Sequence, residues 1–327
     1  MGNDLMARIL LLSTGGTIAS NASAPGGPVT AKLSGAELMA GIELPAEISV
    51  DVLPFPARGS NALSLRDALG FARAIEREMA DYDGFVLTHG TDTMEDTAWA
   101  LEFLLAPQKP VVLTGAQRHA GEADSDGPRN LRDAVIAAAY APLGAAGVVV
   151  VFEGDIHGAR AVRKAHTSRV DAFRSGDLGK IGSLDQGRVS LRALPRRAPG
   201  FGTAHEPREV ALIAAAFGAG AEFLDFACSR DYGAVVLQGF GRGNFPDGWA
   251  QATSRLVAAG KPVIIASRCS EGEVWPIYGN DSGGTSMAAA GALFGGDLSP
   301  GRLRILAAFV SAAPGQSLAQ ALEVWAS

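Results

Sequence analysis

Residues 9–20 read ILLLSTGGTIAS. Four aliphatic residues run without interruption into Ser13, Thr14, two glycines and Thr17. A short, continuously apolar run that stops at a Gly-Gly pair predicts a buried strand ending in a tight turn. The same pattern recurs outward along the chain. Further strands are predicted at Ile48–Leu53, Phe85–Thr88, Val111–Thr114 and Val148–Phe152. Between them, alanine-rich stretches at helical spacing predict helices over Ser64–Tyr82, Thr93–Leu105 and Pro128–Tyr140, with Ser64 as an N-cap and Pro128 as a first helical residue. Strands that are apolar on both faces need cover on both sides, which implies a parallel sheet of the α/β class.

A second, smaller series follows: strands at Val210–Ala214, Ala234–Leu237 and Pro262–Ala266, and helices near Ala219–Ala227, Gly248–Ala259, Pro300–Ala312 and Ser317–Trp325. Residues 194–207, LPRRAPGFGTAHEP, have proline, glycine and charge but little apolar periodicity. They read as a linker between a larger N-terminal domain, 1–193, and a smaller C-terminal α/β domain, 208–327. With 327 residues, 47% of them hydrophobic, the chain is longer than one core usually supports, so two domains are expected.

Composition excludes several function classes. A formal net charge of −6 with scattered Lys and Arg argues against a nucleic-acid surface. No apolar run approaches the roughly 20 residues of a membrane span, so the expectation is a soluble, cytoplasmic protein. Cys228 and Cys269 lack CxxC spacing and are expected to be buried, reduced thiols. His89, His119, His157, His166 and His205 show no paired metal-ligand spacing, and the DSDG at 124–127 lacks the remaining positions of a calcium loop. No metal is therefore expected.

In open parallel sheets, ligands bind beyond the carboxyl ends of the strands. Four such ends combine glycine with hydroxyl or carboxylate: STGGT at 13–17, RGSN at 58–61, THGTDT at 88–93 and TGAQRHAGEADSDG at 114–127. Each has a plain structural reading. TGGT alone is a tight turn without the spacing of a dinucleotide or P-loop site, and GTDT alone supplies Asp92 or Thr93 as a helix cap. Together they suggest one chemistry. A threonine hydroxyl is a weak nucleophile that needs a base, and a water-shielded lysine beside a second hydroxyl can serve. The chain has only five lysines, and Thr17, Thr91, Asp92 and Lys164 could form such a set.

TGGTIAS at 14–20, GFVLTHGTDTMEDTAWALEFLL at 84–105 and KPVVLTGAQRHAGEADSDGPRNLRDAV at 109–135 resemble, in order and spacing, the bacterial-type L-asparaginase (asparaginase/glutaminase) family. GARAVRKAHTSRVDAF at 158–173 is similar to that family's lysine-bearing segment, and GNF at 243–245 to its C-terminal contact loop. The resemblance implies Thr17 as the nucleophile that attacks a side-chain amide. It implies a second triad of Thr91, Lys164 and Asp92, with Asp92 also gripping the α-ammonium. Ser60, with Gly59 and Asn61 beside it, would hold the α-carboxylate; backbone amides near Thr17 and Thr91 would form an oxyanion hole, with Gly16 and Gly90 among the substrate-binding positions; the carbonyl of Ala116 would hold the leaving nitrogen, and Asn244 would contact the site. No cofactor follows from the resemblance. A small amino-acid substrate does, as does a homotetramer built as a dimer of close dimers, with the site between the two domains and completed by a partner chain.

One departure is plain. The family carries a tyrosine in the mobile lid after the nucleophile, and the corresponding NASAPGGPVTAK, residues 21–32, has none. Tyr278, after RCSEGEVWPI, is the expected replacement, reaching in from a neighbouring subunit. The implied activity is conversion of L-asparagine to L-aspartate and ammonia through an acyl-threonine ester. Alternatives are a related hydrolase of glutamine or of a D-amino-acid amide, or a binding homologue without turnover.

Overall fold

The strand at Ala7–Ser13 sits inside the larger sheet because Ile9, Leu11 and Leu12 are each fully buried. Removing such side chains from water contributes about 1.5–3 kcal/mol apiece. The structure, a computed structural model, describes residues 6–22, 29–31 and 33–326. It divides into two compact units, Met1–Thr203 and Ala204–Ser327.

In the first unit the Ala7–Ser13 strand pairs in parallel with Ile48–Pro54 on one side and Gly84–Thr88 on the other. Val111–Thr114 and then Val148–Phe152 continue the parallel run. The sheet order is thus second, first, third, fourth, fifth in chain terms, a doubly wound arrangement whose direction reverses between the first and third strands. The parallel-sheet α/β reading holds, and the structure adds an antiparallel edge to it. Three antiparallel strands, Asp155–Gly158, Gly182–Asp185 and Arg188–Leu191, extend the edge beyond Val148–Phe152. They are short and polar, and hairpin connections rather than helices join two of the three pairs, so no apolar run announces them.

Helices cover the sheet as their patterning dictates. Leu65–Glu78 buries Ala68, Leu69, Phe71, Ala72, Ala74 and Ile75, one face of a 3.6-residue repeat. Ser64 caps it in a reciprocal box: its hydroxyl accepts from Asp67 N–H, and its own N–H donates to the Asp67 carboxylate at 2.8 Å. The predicted extension to Tyr82 stops at Met79. Met94–Leu105 is buried on nearly every face. Its Phe103 stacks on Phe201 at 5.1 Å, and its Glu102, 5% exposed, takes a hydrogen bond from Arg197 Nε at 2.7 Å. The proline- and glycine-rich stretch from Arg197 to Thr203 is therefore docked on the first unit.

The second unit holds a four-stranded parallel sheet, Val210–Ala214, Ala234–Gly239, Val263–Ser267 and Leu293–Phe294, flanked by helices that include Glu222–Cys228, Trp249–Ala258, Pro300–Val310 and Leu318–Trp325. Two short helices, Gly35–Ala40 and Gly284–Ala289, lie where no periodicity marks them. The two thiols are free, but Cys228 is only partly buried and Cys269 is exposed, which corrects the expectation of two buried thiols. Among the described residues, no helix is long and apolar enough to cross a membrane.

Candidate active site

The first and third strands end side by side at the reversal point, and their ends are tied together. Thr14 Oγ1 donates to the Thr88 carbonyl at 2.6 Å in a buried setting. Beyond this tie the loops touch backbone to backbone. Gly15 and Gly16 hold φ of 98° and 86°, a region costly for any residue with a Cβ. A Cβ at Gly16 would lie 2.5 Å from Gly90 N, and one at Gly15 would lie 3.0 Å from Arg58 N. A Cβ at Gly90 would meet Ser60 Oγ at 2.7 Å. The scarcity of bulk after the first strand follows from this packing. Three strand-end loops interlock, and glycine is what lets them approach.

Around this knot lies a cavity of about 610 Å³ lined wholly by residues of the first unit. Gly16, Thr17 and Ser20 form one wall. Ala57, Gly59, Ser60 and Asn61 form a second, and Gly90, Thr91 and Asp92 a third, with Gln117, Lys164 and Thr167 completing it. Thr17 opens a 3-10 turn, Thr17–Ala19, and Thr91 opens another, Thr91–Thr93, that leads straight into the Met94–Leu105 helix. The capping role expected of Thr93 is not what its hydroxyl does. It donates to the Ser60 carbonyl at 2.9 Å and so binds the 58–61 loop to the 88–93 loop.

Lys164 reaches this cavity from the two-residue strand Arg163–Lys164, which pairs with Phe173–Arg174. Its backbone N–H donates to the Glu95 carboxylate. Its Nζ donates to Thr91 Oγ1 at 2.8 Å and to Asp92 Oδ1 at 2.7 Å. The lysine side chain is 14% exposed and that of Asp92 65%. A shielded amine thus lies between a buried hydroxyl and a carboxylate that faces solvent. Such an arrangement can pass a proton between Thr91 and Lys164, while the solvent-facing Asp92 carboxylate, paired with Lys164 through Oδ1, can also meet a cation in the cavity.

Most residues expected at the site from the sequence share this cavity: Gly16, Thr17, Gly59, Ser60, Asn61, Gly90, Thr91, Asp92 and Lys164. Ala116 is buried just beyond the lining, adjacent to Gln117. Asn244 and Tyr278 belong to the second unit. Asn244 Oδ1 accepts from Gly284 N–H at 3.2 Å, and Tyr278 is 52% exposed. The tyrosine-free stretch after Thr17 forms the antiparallel pair Ser20–Ala22 and Val29–Ala31, and its middle, 23–28, with Lys32, lies outside the described residues.

Sequence reasoning missed Gln117, Thr167, Ser20, Ala57 and the Lys164 anchor Glu95. Gln117 carried a usable signal, since it follows the Val111–Thr114 strand by three residues; Glu95 read only as part of a helix. Behind Gln117 stands a buried polar network. The Asp126 carboxylate accepts from the backbone N–H groups of Gln117, at 3.0 and 3.1 Å, and of Arg118, at 2.9 Å. Asn130 Nδ2 donates to the Gly115 carbonyl and to Asp126, and its Oδ1 accepts from Glu153 N–H at 3.0 Å. The DSDG segment is an internal clamp on the 114–118 loop. Among the described residues no cluster of His, Cys, Asp or Glu is placed to hold a metal.

His89 lies behind the cavity, fully buried. Its Nδ1 is 2.7 Å from the Gly90 carbonyl, which can only accept, so the proton sits on Nδ1 and Nε2 accepts from Thr97 Oγ1 at 2.9 Å. Burial pushes its pKa from the ordinary 6.5 down to about 4, so the ring is neutral.

Residues 8–197 match the family model for "Asparaginase, N-terminal", and residues 209–321 match "Glutaminase/Asparaginase C-terminal domain". The chain belongs to the asparaginase family. Among similar proteins, a probable L-asparaginase of Deinococcus radiodurans is 36% identical over 92% of each chain. An L-asparaginase of Bacillus licheniformis is 30% identical over 91% of this chain and 93% of its own. A component of the glutamyl-tRNA(Gln) amidotransferase of Methanosarcina barkeri is 34% identical over 90% of this chain and 72% of its own. The crystal structure of a probable cytoplasmic L-asparaginase from Campylobacter jejuni superposes with a TM-score of 0.85 at 26% identity, covering 98% of this chain and 99% of that one. This asparaginase-family chain is accordingly an amidohydrolase of the asparaginase type.

Proposed function

We propose that the protein hydrolyses L-asparagine to L-aspartate and ammonia in two displacements, with Thr17 as nucleophile. The observation that carries the reading is the Lys164 amine, 2.8 Å from Thr91 Oγ1 and 2.7 Å from Asp92 Oδ1, in the cavity that Thr17 lines. In the first step Thr17 Oγ attacks the side-chain amide carbon, its proton passes to the leaving nitrogen, and ammonia departs from an acyl-threonine ester. In the second, water attacks the ester carbon, the Thr91–Lys164 pair takes the water's proton, and Thr17 is regenerated with release of the acid. The backbone around Gly16 and Gly90 stabilises the oxyanion, a donor there being worth roughly 3 kcal/mol. Ser60, with Gly59 and Asn61, holds the α-carboxylate, Asp92 the α-ammonium and the Ala116 carbonyl the leaving nitrogen. Asn244 acts as a contact from the second domain, and Tyr278 of a neighbouring subunit takes the part of a lid tyrosine. The assembly is a cytoplasmic homotetramer, a dimer of close dimers.

Ammonia release from L-asparagine, measured with wild type and Thr17→Ala, tests the nucleophile: an unchanged rate in Thr17→Ala would overturn it. Full turnover in Tyr278→Phe would remove the tyrosine from the reading, and light scattering that gives a monomer mass would remove the assembly. A second reading, glutamine as the preferred amide, draws support from the "Glutaminase/Asparaginase" match over 209–321. The ratio of kcat/KM for the two amides decides between them.

A further inference from the structure

We propose that Ser20 is a positioning residue for the nucleophile, its hydroxyl holding and polarising the Gly16–Thr17 peptide so that Thr17 meets the amide in a fixed orientation. The inference rests on the amide-hydrolysis reading above and adds a residue to it. Ser20 is 6% exposed and stands on the same cavity wall as Gly16 and Thr17. Its Oγ donates to the Gly16 carbonyl at 2.8 Å, and its backbone N–H donates to the Thr17 carbonyl. One residue thus grips the peptide carbonyls on both sides of Thr17. Ser20 is itself anchored, since its own carbonyl accepts from Ala120 N–H at 3.0 Å.

The glycine before Thr17 is what makes such a grip necessary. Gly16, at φ 86° and ψ 178°, has no Cβ to restrict the peptide that follows it, so the orientation of that peptide is set by its bonds. The Gly16 carbonyl has two lone pairs, and both are used, by Ala19 N–H at 3.1 Å and by the Ser20 hydroxyl. In a trans peptide the N–H points opposite to the carbonyl, so a plane locked at the Gly16 oxygen also locks the Thr17 N–H. Donation to the carbonyl draws electron density from the peptide and strengthens that N–H as a donor. In the reading above it serves an oxygen that gains negative charge during attack, so the benefit is larger in the transition state than in the ground state. The other glycine–threonine peptide of the site is built alike: the Gly90 carbonyl accepts from the buried His89 Nδ1–H at 2.7 Å. Two unlike side chains hold the two equivalent peptides in the same way.

Ser20→Ala removes the hydroxyl and keeps the Cβ; Ser20→Thr keeps both. We expect Ser20→Ala to lower kcat about tenfold, the effect of one neutral hydrogen bond. KM for L-asparagine and inhibition by L-aspartate should stay within about twofold, because they report the α-carboxylate and α-ammonium contacts on the other walls. Ser20→Thr should run near the wild-type rate. Should its extra methyl lower the Tm, Ser20→Cys takes its place, and its weaker S–H donor should give a kcat between those of wild type and Ser20→Ala. A wild-type kcat in Ser20→Ala overturns the proposal. So does a loss that falls equally on kcat and on aspartate affinity, the mark of a collapsed cavity wall, or a Ser20→Thr protein as slow as Ser20→Ala at the wild-type Tm. A wild-type enzyme that hydrolyses neither asparagine nor glutamine, or an unchanged rate in Thr17→Ala, would overturn the underlying reading instead, so the two failures are distinguishable.

Discussion

The Thr17 and Thr91 loops are near twins in sequence and opposites in construction. Both follow neighbouring parallel strands, both place a threonine directly after a glycine, and both open a 3-10 turn. The Thr91 loop is organised by hydrogen bonds: Lys164 to Thr91, Thr91 to Gln117, Thr93 to Ser60, and His89 to Gly90. Gly90 has an ordinary φ of −70°. The Thr17 loop has hydroxyl ties of its own, Thr14 to the Thr88 carbonyl and Ser20 to the Gly16 carbonyl, but close backbone contact at two positive-φ glycines sets how near it comes to its neighbours, and Thr17 is only half-buried. The proton relay proposed for the Thr91 loop would need atoms held at fixed separations, which hydrogen bonds supply. The attacking hydroxyl proposed at Thr17 would need a loop without bulk beside it, which glycine supplies.

The largest effect should come from the relay side. Lys164→Met removes the amine while keeping a stem of similar length, and loss of an acid–base group costs about 10²–10⁴-fold in kcat. The fold should survive, since Glu95 holds the Lys164 backbone rather than its amine. Steady-state kinetics beside a thermal melt check both halves of the statement. A variant that lost activity only by unfolding would break the contrast, because the lysine would then be holding the loop together.

Next is acid stability, to which the Thr91 side contributes through His89 and the antiparallel edge through His157, whose Nδ1 is 2.8 Å from Ser175 Oγ. His89 and His157 are buried, and burial depresses each pKa from 6.5 to about 4. Between those values the unfolded chain binds protons that the folded chain refuses. The stability they contribute is therefore fully present above about pH 6.5 and is lost as pH falls toward 4, by about 3 kcal/mol for each histidine at the lower end. Urea melts at pH 7, 6, 5 and 4.5 should show the midpoint falling across this window, and His89→Gln should flatten the slope. A flat midpoint from pH 7 to 4.5 would show that these rings charge freely in the folded state.

The glycines test the other side. Gly16→Ala forces a Cβ into a positive-φ residue and against the Gly90 backbone, which cannot step aside. Strain of this kind costs about 1–3 kcal/mol, so Tm should drop and kcat should fall with it. Gly90→Ala keeps an acceptable φ, and although its Cβ would lie 2.7 Å from Ser60 Oγ and 2.9 Å from Ser60 Cβ, the nearest backbone atom, Ser60 N, is at 3.1 Å rather than the 2.5 Å met at Gly16. Its effect on Tm should be smaller than that of Gly16→Ala. Equal losses would mean that the two loops are held alike.

How far the sequence could be read follows the same division. The parallel strands were legible because burial on both faces writes itself as runs such as VVLT and VVVVF. The Leu65–Glu78 helix was legible from its stripe and from Ser64. The antiparallel edge was not, since segments such as GSLD and RVSL have no apolar signature. Thr17, Thr91 and Lys164 stood out as residue types in unusual settings. Gln117 and Glu95 did not: each meets its partner only through strand register and the fold's crossovers, with Glu95 and Lys164 69 positions apart. The capping rule fails at Thr93 for a similar reason, because a local preference is overridden by a carbonyl 33 residues away.

Thr93 supplies the smallest and most specific test. Among the described residues, its hydroxyl bond to the Ser60 carbonyl at 2.9 Å is a direct side-chain tie between the 88–93 and 58–61 loops. Thr93→Val is nearly isosteric and removes only the donor, leaving the Ser60 carbonyl with one bond, from Leu63 N–H at 3.1 Å. Net stability should fall by about 1 kcal/mol. Because Ser60 stands on the wall proposed to hold the α-carboxylate, the loosened loop should raise KM a few-fold while kcat changes little, the mark of lost ground-state binding. If kcat falls and KM holds, the tie serves the Thr91 relay instead. The hydrogen bonds of that loop would then act as one unit with the chemistry, and the 58–61 wall would be positioned by its glycine contacts and by the Arg58 N–H bond to the Thr14 carbonyl at 3.1 Å.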